Sequence, residues 1–592
     1  MAELLRTSDK FYVALNNKRD VVVTPPWLAK SQNAYAPRPG NVVQPLINGE
    51  RAFAAVYEAI NNAKKTVDII SWGFDPSMRL LRPNGERLGE LLKRKADCRD
   101  PKWGWRCGKE PEVKIRALIW KDAIGNALEN SIIGEGLLGS GGGTALGSGV
   151  GSGSAHGGKT QRKDDNYNDY ANKYTSSAAV ARHDDEAARY NRDWFRYQPP
   201  NLQFRTRSLS IIEKKNIGDI QRAQRGWGAP LRNIAVSLGA THHQKMILID
   251  YESPEDAIGF VMGHNLLRNY WDTDEHAYVS AARHGFAPWQ DLSCRVFGPV
   301  LYDLNSNFTR AWEAAEGWFG GNKFMDSPER AQRKPEDYLE PARRHGKRCN
   351  AQICRTYAPD SDFSIKNAYQ IALANARQYL YFENQYFRYK EFADLMRTVR
   401  RRLKAAGWKR DFYVFVVTNV PTDAGKAETH KMLQALGKGA AMPAYEKQHP
   451  ESGKDRALQQ ADMDGLNVHI CTLETCAQTP QGVQYQPIYV HSKLLLVDDV
   501  FYTLGSANIN VRSMEADTEL NIASPSPEVT LQWRQHLWKI HTGQAPGEDM
   551  KVEFKRWGDL IADNAAFKRN KKPLAAPLIE FFDGGDVRPS ID

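Results

Sequence analysis

The sequence holds no apolar run long enough to cross a membrane. Its most apolar stretches, such as Phe412–Val417, are strand-sized, far short of the roughly 20 residues a spanning helix needs. The N-terminus, Met1-Ala-Glu-Leu-Leu-Arg-Thr-Ser-Asp9, lacks the basic start and apolar core of a cleavable signal peptide. The expectation is a protein that stays in the cytoplasm of its producer or leaves by a route that reads no such signal. Cysteine is sparse, at 7 in 592 residues. Six fall in near pairs, Cys98 with Cys107, Cys349 with Cys354 and Cys471 with Cys476, and Cys294 is left over. Scattered thiols and the disulfides of an oxidising space both remain open. Neither Cys-x4-Cys has the companion Cys/His pair of a zinc site, which argues against a metal. No dense Lys/Arg run lies near the motifs described below.

What is present is basic, aromatic and internally repeated. The net charge of +10 suits an anionic partner, whether phosphate ester, nucleic acid or acidic membrane surface, or else reflects a cation-biased surface alone. With 15 Trp and 24 Tyr there is material for packed cores or aromatic clefts. Ala55–Phe74 and Ala368–Phe387 read as two copies of one unit, an amphipathic helix followed by a buried strand. At an offset of 313, Ala59, Asn62, Ala63 and Phe74 meet Ala372, Asn375, Ala376 and Phe387.

Each copy also carries a second shared element. Thr241–Asp250 contains His243-x-Lys245-x4-Asp250, and Val490–Asp498 contains His491-x-Lys493-x4-Asp498, at an offset of 248. The difference, 65 residues, places an insertion in the first copy. Gly134–Gly158, rich in Gly, Ser and Ala, and the polar stretch that follows to about residue 200 supply it. Such a run cannot bury enough apolar surface to offset its ordering entropy. It is expected to be a mobile excursion, either a lid at the active site or an inert surface loop.

The four residues before each Asp are apolar, so each motif reads as a buried strand. His and Lys two apart then share one face of it. A buried imidazole beside a buried ammonium is unfavourable unless an anion neutralises the cation, and a phosphate does so. Downstream, Asn265 and Asn508 can each donate an amide hydrogen to a phosphate oxygen. Each histidine also needs an acid on its other ring nitrogen. Asp291 is expected to serve His243, and Glu519 to serve His491, with Asp517 on the same strand face as an alternative to Glu519. Two carboxylates there would raise the pKa of His491.

On these motifs the chain resembles the phospholipase D superfamily, and more narrowly the eukaryotic-type phospholipases D. The matching stretches are His242-His-Gln-Lys245, Trp271-Asp-Thr-Asp-Glu-His276, Pro288-Trp-Gln-Asp291 with Gly298-Pro299, Glu383-Asn-Gln-Tyr-Phe387, Ile488–Asp499 and Gly505-Ser-Ala-Asn-Ile-Asn510. One departure is Met262, where the family usually has the Gly found at Gly505, which implies an altered backbone approach to phosphate on that side.

The resemblance implies an α/β fold of two similar α/β/α sandwich lobes, related by a pseudo-two-fold axis and sharing one active site. The lobes are expected at 1–340 and 341–592. It implies a catalytic set of His243, Lys245, Asp250, Asn265, Asp291, His491, Lys493, Asp498, Asn508 and Glu519, with no metal or other cofactor. One histidine, His243 by family resemblance, attacks phosphorus to form a phosphohistidine; His491 protonates the leaving alcohol and then activates water. The substrate implied is a membrane glycerophospholipid, cleaved to phosphatidic acid and head group, with no nucleic acid expected. A short, signal-less version is similar to bacterial phospholipase D effectors of type VI secretion. That implies an immunity protein and a secretion spike as partners, and action at the membrane or periplasm of a target cell. A nuclease on the same fold, a phosphatidyltransferase such as a cardiolipin synthase, and a catalytically dead scaffold are the competing readings.

Overall fold

The computed structural model describes residues 27–30, 33–97, 113–120, 201–225, 239–315, 328–421, 425–450 and 465–584. It also describes parts of 186–199 and the backbone of the strand pair Phe11–Leu15 and Arg19–Val23. The Gly-rich stretch 134–158 and most of the insertion lie outside the described residues, as do Cys98 and Cys107.

The repeat becomes two sheets with the same strand order. In the first, the order is Arg38–Ile47, Leu292–Phe297, Ile258–Met262, Met246–Ile249, Thr66–Ser71, Lys114–Trp120, Leu202–Arg207. The last three run parallel and the others antiparallel. In the second, it is Cys349–Tyr357, Glu519–Ser524, Phe501–Gly505, Lys493–Val497, Tyr379–Asn384, Phe412–Val417, Leu466–Thr479, with the same senses. The registers reproduce both offsets read from the sequence. Val67 faces Ile249 and Leu380 faces Val497.

Helices cover both faces of each sheet because their apolar residues recur on one side. The helix Asn48–Asn62 buries Ala52, Phe53, Val56, Ala59 and Ile60, and its counterpart Ser364–Asn375 buries Ile365, Ala368, Tyr369, Ala372 and Leu373. On the opposite face, Val300–Ala314 packs in the first lobe, with Pro527–Thr542 and Met550–Arg569 in the second. Their buried side chains join one core that runs through both lobes and includes Phe308, Trp312, Trp533, Trp538 and Trp557. A mixed sheet enclosed on both sides is the layer arrangement expected of strands alternating with helices.

Two seams join the lobes. Arg38–Ile47 pairs with Cys349–Tyr357. Trp289–Gln290 pairs in parallel with Tyr489–Val490, and His242 bridges Thr518 in the same sense. The second seam carries both sequence motifs. No helix among the described residues is long and apolar enough to cross a membrane. Cys294, Cys349, Cys354, Cys471 and Cys476 are free thiols, so the two Cys-x4-Cys pairs are not disulfides. An odd separation along a strand puts the two side chains on opposite faces of the sheet.

Candidate active site

Each motif ends its strand in the same way. Asp250 sits at φ 50° and Asp498 at φ 52°, a left-handed conformation that Asp and Asn tolerate best among side-chain-bearing residues. Asp250 accepts the backbone N–H groups of Lys64, Lys65 and Thr66 at 2.8, 2.6 and 3.0 Å. Asp498 accepts those of Arg377, Gln378 and Tyr379 at 2.7, 2.9 and 2.7 Å. These carboxylates therefore tie the motif strand to the start of its neighbour, at the end away from the histidine. They hold the strand and do not reach the chemistry expected of them from the motif alone.

At the other end of the strands His243 and His491 meet the seam. His243 N donates to Thr518 O at 2.9 Å, and His491 N donates to Gln290 O at 2.8 Å. Each backbone bond crosses from one lobe to the other and sets the acid next in sequence against the imidazole. Nδ1 of His243 lies 2.9 Å from both oxygens of Glu519. Nδ1 of His491 lies 2.8 Å from Oδ2 of Asp291. The acids are the two expected, but the pairing is crossed: each lobe's histidine is oriented by the other lobe's carboxylate. The physical reason is the seam itself, which brings each acid strand to the opposite motif. Asp517, the alternative acid, instead accepts from Thr241 N at 2.8 Å and from Arg512 at 3.1 Å.

Each histidine has the lysine of its own motif beside it. Lys245 and Lys493 are 1% and 0% exposed. Nζ of Lys245 donates to His243 O at 3.0 Å, and Nζ of Lys493 to Gln385 Oε1 at 3.1 Å and to His491 O. Burial, with Lys245 and then Lys493 adding to it, holds His243 well below the ordinary imidazole value of 6.5. Burial, then Lys493 and Lys245, does the same to His491. The raised His491 pKa expected from two carboxylates is thus reversed: one carboxylate faces it, and burial beside two ammonium groups dominates. Burial likewise lowers Lys493 well below 10.5. It pushes Glu519 up to about 7, against the pull of Lys245 and of the Ser506 hydroxyl. Both lysines act on both histidines, so the two half-sites form one electrostatic unit.

The asparagines are not equivalent. Asn265 is committed within the protein, since its Nδ2 donates to Tyr270 OH at 2.8 Å and its Oδ1 accepts Gly73 N at 3.3 Å. Asn508 is 5% exposed, and its Oδ1 has no hydrogen-bond partner among the described residues. Met262 lies in the apolar core of the first lobe, so the substitution at that position does not reach the site. The close approach there is made by Gly263, where a Cβ would fall 2.4 Å from Asp291 Oδ1.

Sequence reasoning missed three groups. Tyr270 OH lies 3.4 Å from Nε2 of His491. It accepts from Asn265, and it donates to or accepts from that nitrogen according to the protonation of His491. Trp72 sets its edge toward His243 at 6.1 Å between ring centroids and stacks on Trp120 at 5.4 Å. Glu383, buried at the end of Tyr379–Asn384, accepts from Ser492 at 2.6 Å. An acid inside an otherwise apolar strand was the available signal for Glu383; nothing in the pattern singled out Tyr270 or Trp72.

The family model described as "Cardiolipin synthase, PLD-like domain" matches residues 369–541, which hold the second motif. The chain is 24% identical to phospholipase D beta 1 of Arabidopsis thaliana, over 86% of this chain and 48% of that protein. It is 23% identical to phospholipase D alpha 2 of the same plant, over 85% of this chain and 66% of that protein. The chain thus spans between about half and two thirds of the length of these relatives. A solved phosphatidylserine synthase of Haemophilus influenzae is similar at a TM-score of 0.40 and 12% identity, over 90% of this chain and 95% of that one. The duplicated His-x-Lys-x4-Asp motif, the family-model match and the similarity to the two plant enzymes support a member of the phospholipase D superfamily.

Proposed function

We propose that the protein is a phospholipase D, cleaving the head group from a membrane glycerophospholipid through a phosphohistidine intermediate. The observation that carries the reading is the crossed pairing, which points Nε2 of two acid-backed histidines into one site lined by two buried lysines.

Held well below its ordinary pKa, His243 is neutral near pH 7. Glu519 engages Nδ1, which leaves the Nε2 lone pair free to attack phosphorus. The imidazolium that forms is stabilised by Glu519. Lys245, Lys493 and the Asn508 amide take the charge that builds on the non-bridging oxygens. His491 must donate a proton to the departing alkoxide. A bound phosphodiester brings negative charge beside it, which favours its protonated form, and Asp291 supports that form from behind. After the head group leaves, His491 takes a proton from water, and the hydroxide attacks phosphorus and releases His243. The product is phosphatidic acid.

The alcohol-specific outcome tests the covalent route. With ethanol in the assay, phosphatidylethanolamine or phosphatidylcholine vesicles should yield phosphatidylethanol beside phosphatidic acid. Head-group release with no alcohol adduct would point to direct attack by water. Plasmid nicking without lipid hydrolysis would favour a nuclease.

Delivery to a rival cell as a type VI effector, with an immunity protein and a spike as partners, belongs to the same proposal and rests on the resemblance alone. Its check is growth arrest when the chain is directed to the periplasm of Escherichia coli, lost in His491→Ala.

A further inference from the structure

Behind His491 a row of fully buried polar side chains crosses the seam. Arg283 NH1 donates to Asp272 Oδ1 at 3.1 Å, and Asp272 Oδ2 meets His276 Nδ1 at 2.9 Å. His276 Nε2 meets Gln290 Oε1 at 2.8 Å, and Gln290 Nε2 donates to Glu383 Oε1 at 2.8 Å. Glu383 also accepts from Ser492 at 2.6 Å, Tyr381 OH at 2.5 Å and His541 Nε2 at 2.8 Å. Asp272, His276, Gln290, Glu383 and His541 are each no more than 1% exposed.

The directions of these bonds are determined by proton counting. Glu383 is surrounded by donors. Burial pushes its carboxyl up, but His541, Ser492 and Tyr381 outweigh that and keep it below its ordinary value. An ionised carboxylate only accepts, so Gln290 must present its NH2 to Glu383 and its carbonyl oxygen to His276. Asp272 is likewise surrounded by donors besides His276: Arg283 at 3.1 Å and the backbone N–H groups of Thr273 and Trp289, each at 2.9 Å. Both nitrogens of His276 therefore face acceptors.

We infer that His276 is held as an imidazolium between Asp272 and Gln290, and that this row positions His491 and Asp291. The inference rests on the reading of His491 as the acid–base group. Gln290 is the link. While its side chain joins the row, its backbone carbonyl accepts the His491 backbone N–H at 2.8 Å, and the next residue is Asp291. A neutral His276 would leave the Gln290 oxygen facing a lone pair. Turning the amide over would set that oxygen against Glu383 instead. Either change loosens the strand end from which Asp291 reaches His491. The charged groups that face His276 are Asp272 directly, Arg283 through Asp272, and Glu383 and His541 through Gln290. Among the described residues the other half-site has no such row: Thr518 stands where Gln290 does, and it faces His242 at 2.6 Å. His276 and Gln290 are positioning residues, and the device serves His491 alone.

The test is nitrogen-15 NMR of the full chain labelled in histidine, at neutral pH, with His276→Gln used to assign the resonance. The expected spectrum shows both nitrogens of His276 protonated. In Gln290→Leu, His276 should drop to a single proton on Nδ1. The kcat of that variant on bis(p-nitrophenyl) phosphate should fall about 10- to 100-fold with KM little changed, as for a misplaced catalytic group. A singly protonated His276 in the unaltered protein overturns the inference even if Gln290→Leu fails to fold. So does a folded Gln290→Leu with unchanged kcat. An imidazolium at His276 in a protein that hydrolyses no phosphodiester would count against the functional reading and leave the row standing.

Discussion

Glu519 of the second lobe holds Nδ1 of His243 in the first at 2.9 Å, across 276 positions of sequence. Asp291 holds His491 in the reverse direction, at 2.8 Å across 200 positions. Neither motif histidine therefore has its carboxylate partner in its own lobe, and separated lobes would be inactive for a reason beyond lost substrate contacts.

Crossed pairing makes the two acids separable by step. Glu519→Gln should slow attack by His243, and Asp291→Asn should slow departure and hydrolysis through His491. Each should lower kcat on the order of 10³- to 10⁴-fold, as when a buried acid behind a catalytic histidine becomes an amide. In rapid-quench experiments only Asp291→Asn should accumulate labelled protein. Accumulation in Glu519→Gln instead would restore within-lobe pairing.

The pH profile should carry the mark of Glu519. Burial raises its carboxyl to about 7, and only the carboxylate can accept Nδ1–H of His243. With His243 lowered, the two titrate as a pair. Activity should rise with pH, giving kcat/KM an acid limb near 7 that Glu519→Gln removes. Stability should move the opposite way. The folded pKa lies above the unfolded value of 4.5, so the folded state holds the extra proton between them. Stability should fall as pH rises from about 4.5 to 7. A limb that survives in Glu519→Gln would assign it to another group.

Asp498 should matter to stability and little to chemistry. Asp498→Asn keeps a residue that tolerates the left-handed backbone and an oxygen for the Gln378 and Tyr379 N–H groups, but sets an NH2 against the Arg377 N–H, at an expected cost of about 1–3 kcal/mol. Urea unfolding should show that loss, while the folded fraction keeps kcat within a few-fold. A large drop in kcat at unchanged stability would return the residue to the catalytic set.

Much of this was legible because it was repeated. Apolar periodicity gave the Ala55 and Ala368 helices, and the two motif offsets reappear as strand registers at Val67 and Leu380. The acids were legible as residue types: Asp291 and Glu519 were singled out from sequence. Which histidine each serves was not, because that depends on the parallel seam between Trp289–Gln290 and Tyr489–Val490, a contact with no local signature. Tyr270 was hidden for the same reason. Its place beside His491 comes from the packing of its ring against Trp289 at 4.5 Å. Asn265 shows the converse limit, since the sequence set it beside Asn508 as an equivalent while its amide is spent on Tyr270.

Tyr270→Phe isolates that hydroxyl. Removing this contact with His491 Nε2 should lower kcat about tenfold, in line with roughly 1–1.5 kcal/mol for a hydrogen bond, and leave KM nearly unchanged. Steady-state kinetics on bis(p-nitrophenyl) phosphate decides it; a KM effect alone would make Tyr270 a substrate contact.

The central claim is one covalent site built from both lobes, with His243 as nucleophile and His491 as acid and base. Trapping tests it most directly. His491→Asn, mixed with phosphatidylcholine radiolabelled in its phosphate, should retain acid-labile, base-stable label on the peptide containing His243, and His243→Asn should retain none. Label on His491 in the His243→Asn protein, or no label in either, would contradict the account.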